Sequence, residues 1–397
     1  MNFAKRMQRF DTGIFSALAE LKQKELARGK QVADLSVGTP NIPPAPHILS
    51  ALAESARDPK NYVYSLGDTA GLKEAVRDWY RRRYGVELDP ATEMTSLLGS
   101  QDGLAHLALT IADPGDLVLV PDPCYPIFAD GPALAGAELY RMPQKPENGW
   151  LVDLEAIPED VARKAKLMVV SYPNNPTAGV APESFYRRLV AFAKKYGIVV
   201  LHDNAYSELV FDGAECGSFL QYEGAKDVGV EFNSLSKTYG LAGARIGFAL
   251  GNRNVIAMLK ALKSNLDYGM FLPVQKAAVA ALTGPQDCVA ATRLAYQSRR
   301  DALVDGLDRV GWKIDRPKAT MFVWAKIPEP YAGSEEFTLD LLKRAGVLVT
   351  PGAAFGPSGE GYVRIALVRD ENELRRCADA IGESGILNGP EAEANRG

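Results

Sequence analysis

The sequence predicts an α/β fold, a mostly parallel sheet with helices on both faces, followed by a smaller α+β unit. Three observations predict it. Continuous apolar runs at 117–120, 167–171 and 198–201 alternate with helical periodicities such as 185–196, the pattern of strands buried on both faces. Each run ends in a turn rich in Pro, Asn or Asp, at 121–126, 172–177 and 202–206. With 397 residues, 47% hydrophobic and 24% charged, the chain is long for one core and fits two.

Residues 10–28 place Ile14, Leu18, Leu21 and Leu26 roughly on one helical face. A short strand is predicted at 32–37, broken by Gly38-Thr39-Pro40 and a proline-rich stretch through Pro46. Helices are predicted at 48–55 and 72–84, separated by a turn-rich loop holding Tyr62, Tyr64 and Gly67. A strand at 94–98 runs into Gly99-Ser100-Gln101-Asp102-Gly103, which opens a helix over 104–111. A buried strand at 229–232 precedes the segment 233–247, and helices follow at 254–262 and 273–282. The longer helix at 287–310 leads out of the sheet. Beyond it, strands at 321–325, 347–349 and 362–367 and helices at 337–345 and 371–381 make the smaller unit. The tail after Gly382, poor in apolar residues, is predicted to be disordered. The expected division is 1–45 joining the small unit, 46–286 as the large unit, and 287–397 as the C-terminal unit.

Composition narrows the function. A net charge of -4 leaves no footprint for nucleic acid. No apolar run is long enough to span a bilayer, and 1–10 is basic without the apolar core of a signal peptide. Cys124, Cys216, Cys288 and Cys377 are far apart with no CxxC pair, which fits a reducing cytoplasm. His47, His106 and His202 share no metal-ligand spacing, so no metal is expected. Neither a P-loop nor a strand-linked GxGxxG is present, which disfavours a dinucleotide.

In open parallel sheets ligands bind beyond the carboxyl ends of the strands. Ser100, Tyr125, Asn175, Asp203, Tyr206 and Lys237 all fall there. Lys237, among Ser234, Ser236 and Arg245, is either a solvated loop lysine or one that can form a Schiff base with an aldehyde while its neighbours bind an attached phosphate. The arginine also lowers the lysine's affinity for a proton. Residues 99–103, Asp102 included, offer backbone N–H groups to that phosphate at a helix start; helix capping by Ser100 is the plainer alternative. Asp203 can hold a protonated ring nitrogen or serve as a turn aspartate. Tyr206 and Asn175 can donate to a ring hydroxyl, and Tyr125 can stack on the ring; core packing is the ordinary use of such tyrosines. Arg364, inside an apolar strand pattern, either faces solvent or grips a carboxylate with both arms of its fork.

These motifs, Tyr-Pro-Asn-Asn-Pro-Thr, His-Asp-Asn-Ala-Tyr, Ser-Leu-Ser-Lys-Thr-Tyr-Gly-Leu-Ala-Gly-Ala-Arg-Ile-Gly and Tyr-Val-Arg-Ile-Ala, together resemble the fold-type I, class I/II pyridoxal-phosphate aminotransferases. The resemblance covers about residues 30–382. It implies a homodimer with shared active sites and a ping-pong exchange between an L-amino acid and a 2-oxo acid, 2-oxoglutarate being the expected acceptor. LL-Diaminopimelate, alanine, aspartate and methionine are the donor candidates. In this reading Lys237 binds the cofactor aldehyde and moves the Cα proton. Asp203 pairs with the ring nitrogen, Tyr206 and Asn175 with the ring hydroxyl, and Tyr125 stacks. Ser100, Gln101, Asp102, Ser234, Ser236 and Arg245 surround the phosphate. Arg364, Asn175 and the backbone of Gly38 bind the substrate carboxylate. Tyr64, or else Tyr62, reaches the neighbouring subunit's phosphate, and Lys263 is a candidate for the substrate side chain. The rivals are a carbon–sulfur β-lyase or decarboxylase of the same fold, and a non-catalytic cofactor-binding regulator.

Overall fold

The computed structural model describes residues 4, 6, 7, 10 and 13–390. Seven strands form the central sheet, in the spatial order Met94–Leu97, Gly247–Gly251, Gly229–Ser234, Val199–Asp203, Ala165–Ser171, Leu117–Asp122 and Glu138–Pro143. All run parallel except Gly247–Gly251, which is antiparallel to both its neighbours. The predicted α/β class is therefore the observed one. Side chains alternate across the sheet, and here both faces are covered: Met168 and Val170 enter one core, Leu167 and Val169 the other. That double burial is why these strands read as unbroken apolar runs.

Two strands carry no such signal. Glu138–Pro143 is a partly exposed edge strand that includes Tyr140 and Arg141. Gly247–Gly251 is only five residues long and glycine at both ends. Helix Ile127–Leu134 is also unannounced, because Gly131 and Pro132 argue against a helix. The glycine has a packing reason. A Cβ at Gly131 would lie 2.2 Å from the Leu104 carbonyl oxygen of the neighbouring helix.

Beyond helix Asp287–Arg309 lies a three-stranded antiparallel sheet ordered Thr350–Pro351, Tyr362–Ala366 and Phe322–Lys326. Helices Ser334–Ala345 and Glu371–Glu383 flank it. The predicted strand at 32–37 shrinks to Ala33–Asp34, parallel to Val347–Leu348. Asp34 ends it by turning its carboxylate back onto the N–H and hydroxyl of Ser36. No helix among the described residues is long and apolar enough to cross a membrane.

The central sheet also holds a buried polar pair. His202 and Glu231, side by side on neighbouring strands, meet at 3.0 Å with no exposure. Glu231 accepts further hydrogen bonds from the Tyr80 hydroxyl, the Ser218 hydroxyl and the Phe219 N–H. Fully satisfied networks of this kind fix strand register. His202 also fills the sheet face opposite its neighbour Asp203.

Two sequence expectations need correction or limits. The predicted disorder after Gly382 fails over 383–390, where Ile386–Asn388 forms a 3-10 turn and Ile386 is fully buried in the C-terminal core. A single isoleucine reaching a core anchors a polar tail that composition marks as free. Residues 391–397, most of the segment before Gly13, and the Ile14 side chain lie outside the described residues. Ile386→Ala is expected to lower unfolding free energy by about 2–4 kcal/mol, measured by denaturant titration. A loss below about 0.5 kcal/mol, the usual range for surface changes, would show that the turn contributes nothing.

Candidate active site

A cavity of about 550 Å³ opens at the carboxyl ends of the parallel strands. Strand Val199–Asp203 delivers Asp203, which is buried, and its Oδ1 has no hydrogen-bond partner among the described residues. Burial pushes its carboxyl up to about 7, against the pull of His202, the Ala205 N–H and Lys237. The turn that follows carries Tyr206, packed edge-on against Phe322 at 5.8 Å. Burial raises the Tyr206 hydroxyl far above its ordinary range.

The next strand, Gly229–Ser234, delivers Lys237 on a short helix, Leu235–Thr238. Ser234 caps that helix, its hydroxyl accepting the Ser236 N–H at 3.2 Å. The Lys237 amine donates to the Gly38 carbonyl at 3.2 Å and sits 5.8 Å from the Tyr206 ring centroid. Burial, then Arg364 and Arg245, push it down to about 8, with Asp203 opposing. Gly38 has to be glycine for this approach, since a Cβ there would lie 2.5 Å from the Phe322 ring.

Arg364 enters from the antiparallel sheet and is buried, which removes the solvent-facing alternative. Its Nη1 donates to Asn175 Oδ1 at 3.0 Å and its Nη2 to the Ser36 carbonyl at 2.9 Å. The guanidinium lies 4.2 Å from the Phe322 ring centroid and 4.6 Å from that of Phe355, a desolvated cation–π sandwich. Burial pushes it down to about 10. Neither phenylalanine is singled out by the sequence. Phe322 had a signal of a kind, because strand register pairs Trp324 with Arg364 and so sets Phe322 two residues away on the same face. Phe355 sits in a 3-10 turn and had none.

At the other end of the cavity Ser100, Gln101, Ser234, Ser236 and Arg245 come together. Arg245 adopts φ 55 and donates to the Ala242 carbonyl at 3.1 Å. Its guanidinium covers Gly99, where a Cβ would lie 2.5 Å from Nη2. Tyr125 also lines the cavity, its hydroxyl donating to Gln101 Oε1 at 2.9 Å.

Three predicted residues do not line this cavity. Asp102 turns its carboxylate away to Lys263, at 2.5 Å, and to His106. Lys263 is buried between Asp102 and Asp267, so its ammonium is not free to meet a substrate. Tyr64 lies on the surface, 86% exposed. What remains is one amine between two cationic poles, Arg245 with the serines at one end and Arg364 at the other. An amine depressed toward neutrality serves both as nucleophile and as base.

The pH dependence of Lys237 acylation in the protein alone is expected to have a midpoint near 8. In Arg364→Gln, removal of a neighbouring positive charge is expected to raise that midpoint. Mass-spectrometric labelling across pH reads both; a midpoint at the ordinary lysine value in the unaltered chain would contradict the burial argument.

Comparison with known proteins gives the family. The sequence model of the family described as aminotransferase class I and II matches residues 30–381. The LL-diaminopimelate aminotransferase of Moorella thermoacetica is 45% identical over 382 residues, covering 96% of this chain and 98% of that one. The LL-diaminopimelate aminotransferase of Desulforudis audaxviator is 47% identical over 386 residues, with 95% and 98% covered. Among solved structures, substrate-bound BacF from Bacillus subtilis superposes with a TM-score of 0.93 at 38% identity, covering both chains completely. The chain belongs to the class I and II aminotransferases, enzymes that use pyridoxal phosphate to move amino groups.

Proposed function

We propose that this enzyme takes the amino group of LL-diaminopimelate, with 2-oxoglutarate as the acceptor. The carrying observation is the near-complete identity in length, at 45% and 47% sequence identity, with two enzymes of that name. The β-lyase, decarboxylase and regulator readings have no comparable support.

The cavity suits pyridoxal phosphate on features of the chain itself. Asp203 has a buried oxygen awaiting a donor, and we assign it to the ring nitrogen. Arg245, Ser100, Gln101, Ser234 and Ser236 are assigned to the phosphate, supported by the close packing of Arg245 on Gly99. Tyr206 and Asn175 are assigned to the ring hydroxyl and Tyr125 to the ring face. When bound, the cofactor supplies a carbonyl and an electron-poor ring that stabilises the carbanion left after Cα deprotonation.

The remaining work belongs to side chains. Lys237 takes the Cα proton, and its depressed pKa leaves a usable fraction of free amine near neutral pH. Arg364 binds the substrate α-carboxylate with Asn175 and the Gly38 backbone; its Nε is buried without a partner among the described residues. Phe322 and Phe355 exclude water from that ion pair, which strengthens it.

A homodimer is part of the proposal. Tyr62, Val63, Tyr64, Leu66, Tyr268 and Phe271 are all exposed, with Tyr62 packed on Phe271 and Tyr64 on Tyr268, an apolar cluster of the kind that marks an interface. Tyr62 donates its hydroxyl to the Ala56 carbonyl, which leaves Tyr64 the better candidate to reach the second copy's phosphate. The four free cysteines support a cytoplasmic location. The division into 46–286 and 287–397, with 1–45 joining the smaller unit, is proposed from the separate central and antiparallel sheets and from the pairing of Ala33–Asp34 with Val347–Leu348.

Purified enzyme offered LL-diaminopimelate and 2-oxoglutarate is expected to show parallel-line kinetics, with alanine, aspartate and methionine slower. Lys237→Ala is expected to lose on the order of a thousandfold in kcat or more, and Arg364→Gln to lose mainly in KM. Steady ammonia or CO₂ release without an oxo acid would overturn the transamination assignment. Sedimentation is expected to show a dimer, and Tyr64→Ala to bind the cofactor about tenfold more weakly, the loss of one charge-assisted hydrogen bond. Full activity in a strictly monomeric preparation would remove the shared-site element.

A further inference from the structure

We infer that Asp102 and Lys263 form a clamp behind the phosphate pole, two positioning residues that set its affinity without touching the ligand. The inference rests on the proposed phosphate roles of Ser100, Gln101 and Arg245.

Asp102 closes the turn that carries two of those residues. Its Oδ2 accepts the Leu98 N–H at 2.9 Å, and its own N–H donates to the Gly99 carbonyl at 3.1 Å. Gly99, Ser100 and Gln101 are thereby held inside a loop tied at both ends. The loop has little room to move. Gly99, at φ 76, lies under the Arg245 guanidinium, and a Cβ on Gly247 would be 3.0 Å from the Ser100 nitrogen. A small shift of the turn therefore changes the gap between Ser100 and Arg245, and with it the fit of a phosphate.

Lys263 supplies the second half of the clamp. It projects from helix Arg253–Leu266 and contacts Asp102 Oδ2 at 2.5 Å and Asp267 Oδ2 at 2.7 Å. The side chains of Lys263 and Asp102 are both 7% exposed. His106 pairs with the other oxygen, Oδ1, at 2.8 Å. Burial alone would raise Asp102, yet the Lys263 ammonium outweighs it and holds the carboxyl below its usual range. The lysine bridges Asp102 and Asp267 and so offsets one of two carboxylate charges behind the proposed phosphate pole. Removing Lys263 leaves the Asp102 carboxylate buried without its cation, whereas removing Asp102 leaves Lys263 held by Asp267 alone.

The test compares pyridoxal phosphate with pyridoxal, which lacks the phosphate, by titrating each into the cofactor-free protein. Asp102→Ala and Lys263→Met are expected to weaken pyridoxal phosphate about tenfold while leaving pyridoxal affinity essentially unchanged. Inorganic phosphate is expected to lose potency as a competitor in parallel. Asp102→Asn, close to isosteric, keeps the test open if Asp102→Ala fails to fold. Asp102→Asn combined with Lys263→Met is expected to cost less than the two single losses added together, because coupled residues are non-additive. Equal weakening of both compounds, unchanged affinity, or strict additivity would overturn the clamp. Failure of the unaltered chain to bind pyridoxal phosphate would instead overturn the cofactor assignment on which it rests.

Discussion

Three cationic side chains and one carboxylate line a single cavity, Arg364 and Asp203 buried, Lys237 largely so and Arg245 at its exposed end, and the rest of the molecule serves that imbalance. Lys237, Arg245 and Arg364 face Asp203 across about 550 Å³. Such a surplus of positive charge is unfavourable by itself. In the proposed reading, a phosphate, carrying about two negative charges, and a substrate carboxylate would complete it. Burial first, and then the same imbalance through Arg364 and Arg245, depresses Lys237. Binding of anions and basicity of the amine are thus one electrostatic problem seen from two sides.

Holding these charges together demands a rigid frame. Parallel strands buried on both faces bring Asp203, Ser234 and the turns bearing Tyr125 and Asn175 to one edge. The antiparallel sheet contributes Arg364 from the opposite direction, and the N-terminal segment adds the Ser36 and Gly38 carbonyls. The site therefore forms only where three separate stretches of chain meet. Gly38 and Gly99 permit two close approaches in the cavity, one against Phe322 and the other against Arg245.

Burial has opposite effects on the two groups most involved in chemistry. It lifts Asp203 to about 7 and lowers Lys237 to about 8. Desolvation disfavours whichever form is charged, so an acid and a base in the same hollow move toward each other. A donor from a bound ring would restore Asp203 to its ionised form. The phenylalanines around Arg364 extend the same logic, keeping water from its guanidinium.

Local chemistry made much of this legible in the sequence. Strands that are apolar on both faces leave continuous runs, the turn residues at their ends are polar, and Lys237, Asp203, Arg245 and Arg364 sit in motifs that chain order alone exposes. Those features determined the α/β class and most of the cavity's lining. Other features depended on long-range packing. Phe322 and Phe355 became site residues only when an antiparallel register and a 3-10 turn folded them over Arg364. Asp102 reads as part of the phosphate turn, yet Lys263, 161 positions later, draws its carboxylate away from the cavity. Ile386 holds a tail that composition marks as free. The sequence by itself determined which groups can bind and react, because local pattern encodes strand, turn and side-chain chemistry. Tertiary structure decided which way each charge points, because the partner that turns it lies far away in the chain.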